Sequence, residues 1–153
     1  MKYSTKVMTP IFDDIEEIQA KILKKCDKKY KIPRAEGQAE KEADLLHDIL
    51  AMYKQEPAVF IQRIDGVGKL MHGKMIPSSH AGFPDLIMII QGKFFGIELK
   101  AKGGTLSEKQ KDMLQNMQRA GANVGIVLST KGLNGMISGV QPNITVENIG
   151  VWW

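Results

Sequence analysis

Apolar residues along this chain change their spacing several times, and each change marks an element. Phe12, Ile15, Ile18, Ile22 and Cys26 fall every three or four residues, the period of a helix with one apolar stripe. Thr9 can cap that helix, Pro10 suits its first position, and Asp13, Asp14, Glu16 and Glu17 complement its positive end, which predicts a helix from Thr9 to about Lys28. Pro33 and Gly37 break the pattern. The helical period returns over roughly Gln38–Lys54, with Leu45, Leu46, Ile49 and Tyr53 on one side. Val59–Ile64 reads as a strand, and Asp85–Ile90 as a strand apolar on both faces, hence central in a sheet. Gln91-Gly92-Lys93 is a turn, and Phe94–Lys100 is the returning strand. Leu106–Arg119 is helical, capped by Ser107 or Thr105 and ended by Gly121. Val124–Leu128 is a further buried strand, and Ile144–Val146 and Gly150–Trp153 are short extended pieces. Asp65–Ala81, with its glycines and Pro77, reads as a long loop of the kind that often carries function. The order α-α-β-β-β-α-β predicts an α/β fold around a mixed central sheet. Residues 1–36 read as a helical extension and residues 37–153 as the domain proper.

Chemistry enters at one hairpin. Side chains alternate along a strand, so Glu98 and Lys100 share a face while Ile97 and Leu99 point into the opposite layer. With Gly92-Lys93 as a two-residue turn, Asp85 pairs with Lys100 and shares that face. Two carboxylates and a lysine then converge at one end of a central hairpin. Glu42 precedes Leu45 and Leu46 by three and four positions, which sets it on the buried side of its helix, where a lone carboxylate needs a partner. Glu40 falls on the solvent side. An exposed cross-strand ion pair would use the same Glu98 and Lys100, but here the triplet ends a strongly apolar strand and Asp85 precedes it at hairpin distance. Hard carboxylate oxygens bind Mg²⁺ or Mn²⁺, which polarises a phosphate and activates water, and a lysine stabilises the negative charge that develops. The set suits phosphodiester hydrolysis.

Composition narrows the setting. The chain has 153 residues, 43% hydrophobic and 25% charged, as a single globular domain does. Its net charge of +4 is compatible with nucleic-acid binding. Seven basic residues and one acid lie between Lys21 and Arg34, a solvated helix face and linker or a phosphate-contacting patch. The single cysteine, Cys26, allows neither an internal disulfide nor a cysteine zinc site. No apolar run reaches the length of a membrane span, and residues 1–14 lack the apolar stretch of a signal peptide, so a cytoplasmic protein is expected.

The runs Gly82-Phe83-Pro84-Asp85-Leu86-Ile87, Gly96-Ile97-Glu98-Leu99-Lys100-Ala101, Leu106-Ser107 with Gln110, and Ala120-Gly121-Ala122-Asn123-Val124 resemble, in order and spacing, the VRR-NUC family of the PD-(D/E)xK nuclease superfamily. The resemblance covers about Gln38–Thr130 and implies a restriction-endonuclease-like αβββαβ core. It implies Asp85 and Glu98 as metal ligands together with the Leu99 carbonyl, Lys100 as the catalytic lysine, and Gln110 as a supporting glutamine. The family's helix glutamate maps to Glu42, with Glu40 as the alternative. It further implies Mg²⁺ or Mn²⁺ as cofactor, branched or structured DNA as substrate, a homodimer similar to Holliday-junction cleavers, and phage or prophage origin. Arg63-Ile64-Asp65-Gly66 resembles the family's arginine and glycine loop, but the insertion Val67–Ala81 is long for it. Arg63, Lys69, Lys74 and Lys102 are candidate DNA contacts. A DNA-binding module without turnover and a restriction or defence nuclease are the competing readings. The retained Asp85, Glu98, Lys100 and Gln110 argue against the first, and the lack of a recognition domain argues against the second.

Other features carry less. Gly66-Val67-Gly68-Lys69-Leu70 lacks the first glycine and the Ser/Thr of a phosphate loop. His47, His72 and His80 have no zinc spacing; His47 reads as an exposed helix residue and the other two as loop residues, with substrate contact the lesser alternative. Met113 and Met117 read as core, and Lys109, Lys111 and Arg119 as a solvated face. Trp152-Trp153 either packs on the core, the preferred reading, or offers an apolar patch to a second subunit.

Overall fold

The computed structural model describes residues 28–66 and 68–153. The helix expected from Thr9 lies outside the described residues up to its last position. The described chain runs β1 (Lys29–Lys31), α1 (Glu42–Tyr53), β2 (Val59–Arg63), β3 (Lys69–Met71), β4 (Lys74–Ile76), β5 (Leu86–Ile90), β6 (Lys93–Leu99), β7 (Thr105–Ser107), α2 (Glu108–Arg119), β8 (Asn123–Val127), α3 (Thr130–Ile137), β9 (Ile144–Val146) and β10 (Ile149–Trp152). Six strands form one mixed sheet in the order β2-β5-β6-β8-β10-β9. β2, β5 and β6 are antiparallel neighbours, β8 runs parallel to both β6 and β10, and β9 closes the edge antiparallel to β10. Stripped of β3, β4 and β7, α1-β2-β5-β6-α2-β8 is the expected αβββαβ core.

Alternation along the strands builds two apolar layers. Leu86, Met88, Ile97, Leu99 and Val127 face Leu45 and Ile49 of α1 and Leu133 and Met136 of α3. Val124, Ile126, Ile149 and Val151 face Leu106 and Leu114 on the α2 side. Trp152 packs against the first layer and donates its indole N–H to the Val140 carbonyl at 2.9 Å, so the terminal tryptophans cover core as preferred.

Four expectations change. The β5–β6 turn is Gln91-Gly92, both at positive φ (50° and 76°), so Ile90 pairs with Lys93. Gly92 takes the second place of this type I′ turn without a Cβ penalty. The turn sits one residue earlier than expected, so every cross-strand partner shifts by two. A shift of two preserves the face, and continuing the register sets Asp85 level with Glu98 rather than Lys100. The stretch expected as a loop contains the antiparallel hairpin β3–β4, turned by His72 and Gly73 at φ 48° and 74°. The basic run was expected as a helix face and linker or as a phosphate-contacting patch; of its described part, Lys29–Lys31 is a strand that pairs with Thr105–Ser107. There the Tyr30 hydroxyl donates to the buried Glu108 at 2.7 Å, and the Lys111 ammonium donates to the same carboxylate at 2.7 Å. Lys111 therefore belongs to a buried cluster, not to a solvated face. No helix among the described residues is long and apolar enough to cross a membrane.

Candidate active site

The site begins with a tight approach between two elements. Gly82, at φ 90°, lies so close to the Lys109 backbone that a Cβ would stand 3.1 Å from its carbonyl oxygen. Only glycine fits both constraints, and the contact holds Gly82-Phe83-Pro84 against the first turn of α2. Pro84 is buried, and Asp85 follows at the entry to β5. The Ile64 amide donates to the Asp85 carbonyl at 2.9 Å, which ties this entry to the end of β2. Asp85 Oδ2 in turn accepts the Leu99 amide at 2.8 Å, across the hairpin.

Glu98 is 0% exposed. Its Oε1 accepts from the Lys100 ammonium at 2.7 Å and also from the Gln110 side-chain amide. Its Oε2 is buried and has no hydrogen-bond partner among the described residues. Gln110 is held by a capping box: its Oε1 accepts the Ser107 amide at 3.0 Å, while Ser107 Oγ accepts the Gln110 amide at 3.2 Å. With Oε1 committed to the cap, Nε2 is left to face Glu98. Ser107, one of the two expected caps, is thus also the residue that orients Gln110.

Burial dominates the electrostatics. It pushes the Glu98 carboxyl up to about 8, and the neighbouring Asp85 charge adds to the rise while Lys100 opposes it. Burial likewise raises Asp85, with the Leu99 amide and Lys100 pulling the other way. For Lys100, burial favours the neutral amine, but the carboxylates of Glu98, Glu42 and Asp85 together outweigh it and hold the ammonium above its usual value. The lysine is a fixed positive charge in a poorly solvated corner.

Glu42 opens α1, which is positioned by Ala39: its N–H donates to the Leu128 carbonyl and its carbonyl accepts from the Lys102 amide, both at 3.1 Å. The Glu42 carboxylate stands 3.8 Å from the Lys100 ammonium. Its side chain is 47% exposed, so the expectation of a buried face is corrected. Leu45 and Ile49 carry the buried stripe, while the first turn of α1 borders a cleft open to water. Glu40 is exposed and pairs with Lys102 at 3.0 Å, away from Glu98.

That cleft, about 390 Å³, is lined by Glu42, His47, Arg63, Asp65, Asp85 and Leu99, among others. His47 is the exposed helix residue expected, and it lines this cleft together with Asp65, a placement not expected for either; Asp65 pairs with Arg63 at 3.2 Å. A second cleft of about 510 Å³ shares Arg63, Ile64 and Asp65 with the first and continues past Lys69 to Ser78, Ser79 and His80. Lys74 lies exposed on β4. Asp85, Glu98, Leu99, Lys100, Gln110 and Glu42 are therefore one neighbourhood, Arg63 and Lys69 line the connected clefts, and Lys102 is engaged with Glu40.

The donors suit a divalent cation in one specific way. Among the described residues, no three acidic, histidine or cysteine side chains gather into an ion-binding cluster. Two carboxylates do face each other across the hairpin, and one buried oxygen, Glu98 Oε2, lacks a partner. Mg²⁺ is commonly held by one or two carboxylates, with water and substrate phosphate completing its shell, so Asp85 and Glu98 fit it without a third acid.

The family model of the VRR-NUC domain matches residues 15–131. No curated protein and no solved structure matches the chain.

Proposed function

Because the chain belongs to the VRR-NUC domain family and is a nuclease of that family, we propose that it is a Mg²⁺- or Mn²⁺-dependent DNA endonuclease acting as a homodimer on branched or structured DNA. The observation that carries this reading is the buried Glu98, level with Asp85, one oxygen held by Lys100 and Gln110 and the other without a partner among the described residues.

Asp85 and Glu98, with the Leu99 carbonyl, would hold the metal, with Glu42 at the cleft mouth outside its direct ligands. When bound, such an ion polarises the scissile phosphate and lowers the pKa of a coordinated water. The chain's own residues supply the rest. Lys100, kept charged by its carboxylate neighbours, stabilises negative charge developing on the phosphate in a corner where water screens little. Gln110 fixes the orientation of Glu98 and is a positioning residue. Glu42 steadies the Lys100 ammonium from the open side. Arg63, Lys69 and Lys74 contact the DNA backbone, and Lys102 joins them by exchanging Glu40 for phosphate. Cutting both strands of a branched substrate requires two such sites, which a homodimer supplies.

A cleavage panel tests the proposal: duplex, single strand, flap, splayed arm and four-way junction, each with Mg²⁺ and with Mn²⁺. The protein is expected to cut at least one branched substrate, and Glu98→Ala and Lys100→Ala to cut none. Full activity in Lys100→Ala refutes the site assignment. Binding without cleavage under every metal condition favours a DNA-binding module instead. Sedimentation should give twice the chain mass; a monomer at assay concentration removes the paired-cleavage argument.

A further inference from the structure

The β3–β4 hairpin has no buried residue. All eight residues from Lys69 to Ile76 are exposed, Leu70 at 69% and Met75 at 68% most of all among the apolar ones, Met71 and Ile76 at 50% and 46%. A two-stranded hairpin is marginal in water without a surface to cover it, and four large apolar side chains together on one are a binding feature rather than scatter.

The register divides these side chains between two faces. Lys69 pairs with Ile76, Leu70 with Met75, and Met71 with Lys74. Lys69, Met71, Lys74 and Ile76 share one face, and three of them line the second cleft. That cleft continues through Arg63, Ile64 and Asp65 into the one that holds Glu42 and Asp85. Leu70 and Met75 form an apolar pair on the opposite face. The hairpin has two lysines and no acid. That charge suits a polyanion.

We propose that the β3–β4 hairpin is a strand-separating wedge for DNA. One strand follows the Lys69 face along the connected clefts toward Asp85. The other is displaced across Leu70 and Met75, which cap the exposed end of the last base pair. Apolar side chains that unstack a base step are an established means of deforming DNA, and the cost is least where pairing already ends. The wedge rests on reading the cleft as the DNA track and narrows the substrate to DNA with a junction between paired and unpaired strands.

The probe is a splayed-arm duplex with 2-aminopurine in the last pair before the fork, bound by the full chain in chelator so that nothing is cut. Saturating protein is expected to raise the fluorescence about threefold as the base unstacks. The Leu70→Ser/Met75→Ser variant replaces exposed residues only. It should bind within about threefold of the parent, since the lysines remain, and should lose the rise. Lys69→Ala/Lys74→Ala should bind more weakly, with a salt slope reduced by about 2, and keep the rise at saturation. A rise retained in Leu70→Ser/Met75→Ser, or no rise with the parent, overturns the wedge. So does dissociation of a dimer by that variant with the rise intact, which would make the hairpin a subunit contact. Cleavage without a rise refutes the wedge alone. A rise that depends on Leu70 and Met75, with no cleavage under any metal, leaves the wedge standing and removes the nuclease reading.

Discussion

Replacing Glu98 by glutamine keeps the shape of the site and removes one titration. Burial holds the Glu98 carboxyl at about 8 in the folded protein, against 4.5 for an exposed glutamate. Between those values the folded state keeps a proton that the unfolded chain releases. The stability from this group is therefore complete below pH 4.5 and is lost as pH rises toward 8. One such proton gives a slope of about 1.4 kcal/mol per pH unit, or about 3 kcal/mol between pH ~5.5 and ~7.5. For a chain of this length that lowers the melting midpoint by about 6–12 °C. Asp85, also raised by burial, adds a decline of the same sign. Lys100 adds none here, because a raised lysine loses its contribution only above 10.5. The assay is calorimetric melting in chelator, at constant ionic strength, across this pH range. Glu98→Gln should lose at least half of the decline, and subtracting its curve cancels the groups remote from the site, leaving Glu98 with its coupled neighbours Asp85 and Lys100. Adding Mg²⁺ should raise the parent midpoint more at pH ~7.5 than at ~5.5, because the ion competes with the Glu98 proton. Parallel curves for parent and variant would refute the burial argument, and an equal Mg²⁺ gain at both pH values would refute the carboxylate site.

Three further perturbations probe the supports of the site. Gln110→Glu keeps a capping box but sets a second carboxylate against Glu98; cleavage is expected to fall at least ~100-fold with a shifted pH profile, while Gln110→Ala loses activity together with about 1 kcal/mol of capping stability, read by denaturant melts. Gly82→Ala forces a Cβ against the Lys109 backbone at positive φ; a loss of about 1–3 kcal/mol and reduced cleavage are expected, and an unchanged midpoint would show that Gly82 does not fix the Asp85 entry. Tyr30→Phe removes the hydroxyl from Glu108; a loss of about 1–3 kcal/mol with activity retained would place β1 in the folded domain, and a change within about 0.5 kcal/mol would not.

The parts of this fold that read directly from the sequence are those where burial and periodicity agree. β6 is apolar because both faces of the sheet are covered there, and β5 packs Leu86 and Met88 on α1 while Ile89 on its other face stays 41% exposed, so their existence and inner place follow from composition. The elements that escaped notice lack that agreement. β1 is Lys-Tyr-Lys within a basic run, and its strand character comes from Tyr30 reaching Glu108, a contact 78 positions away. α3 contains Gly132 and Gly135, poor helix formers, and is held instead by the Ser129 cap and by Leu133 and Met136 in the core. The β3–β4 hairpin turns on His72-Gly73, without the Asn or Asp that usually announces such a turn.

The site was legible for a different reason. Side-chain parity places it, and parity survives an error of one residue in the turn, because that error moves partners by two. Asp85 therefore reached the face of Glu98 and Lys100 although its expected partner was wrong. Helical periodicity gave Glu42 no such protection. A helix's first residue can lie on the apolar side of the wheel and still project past the sheet it packs against, and there Glu42 meets cleft water and Lys100 rather than core. Gln110 is the residue at which fold and site cannot be separated. The capping box that starts α2 occupies its carbonyl, so starting the helix is what directs the amide to Glu98. Local capping chemistry thus sets the orientation of the most deeply buried acid in the site, through hydrogen bonds that span only the four residues from Ser107 to Gln110.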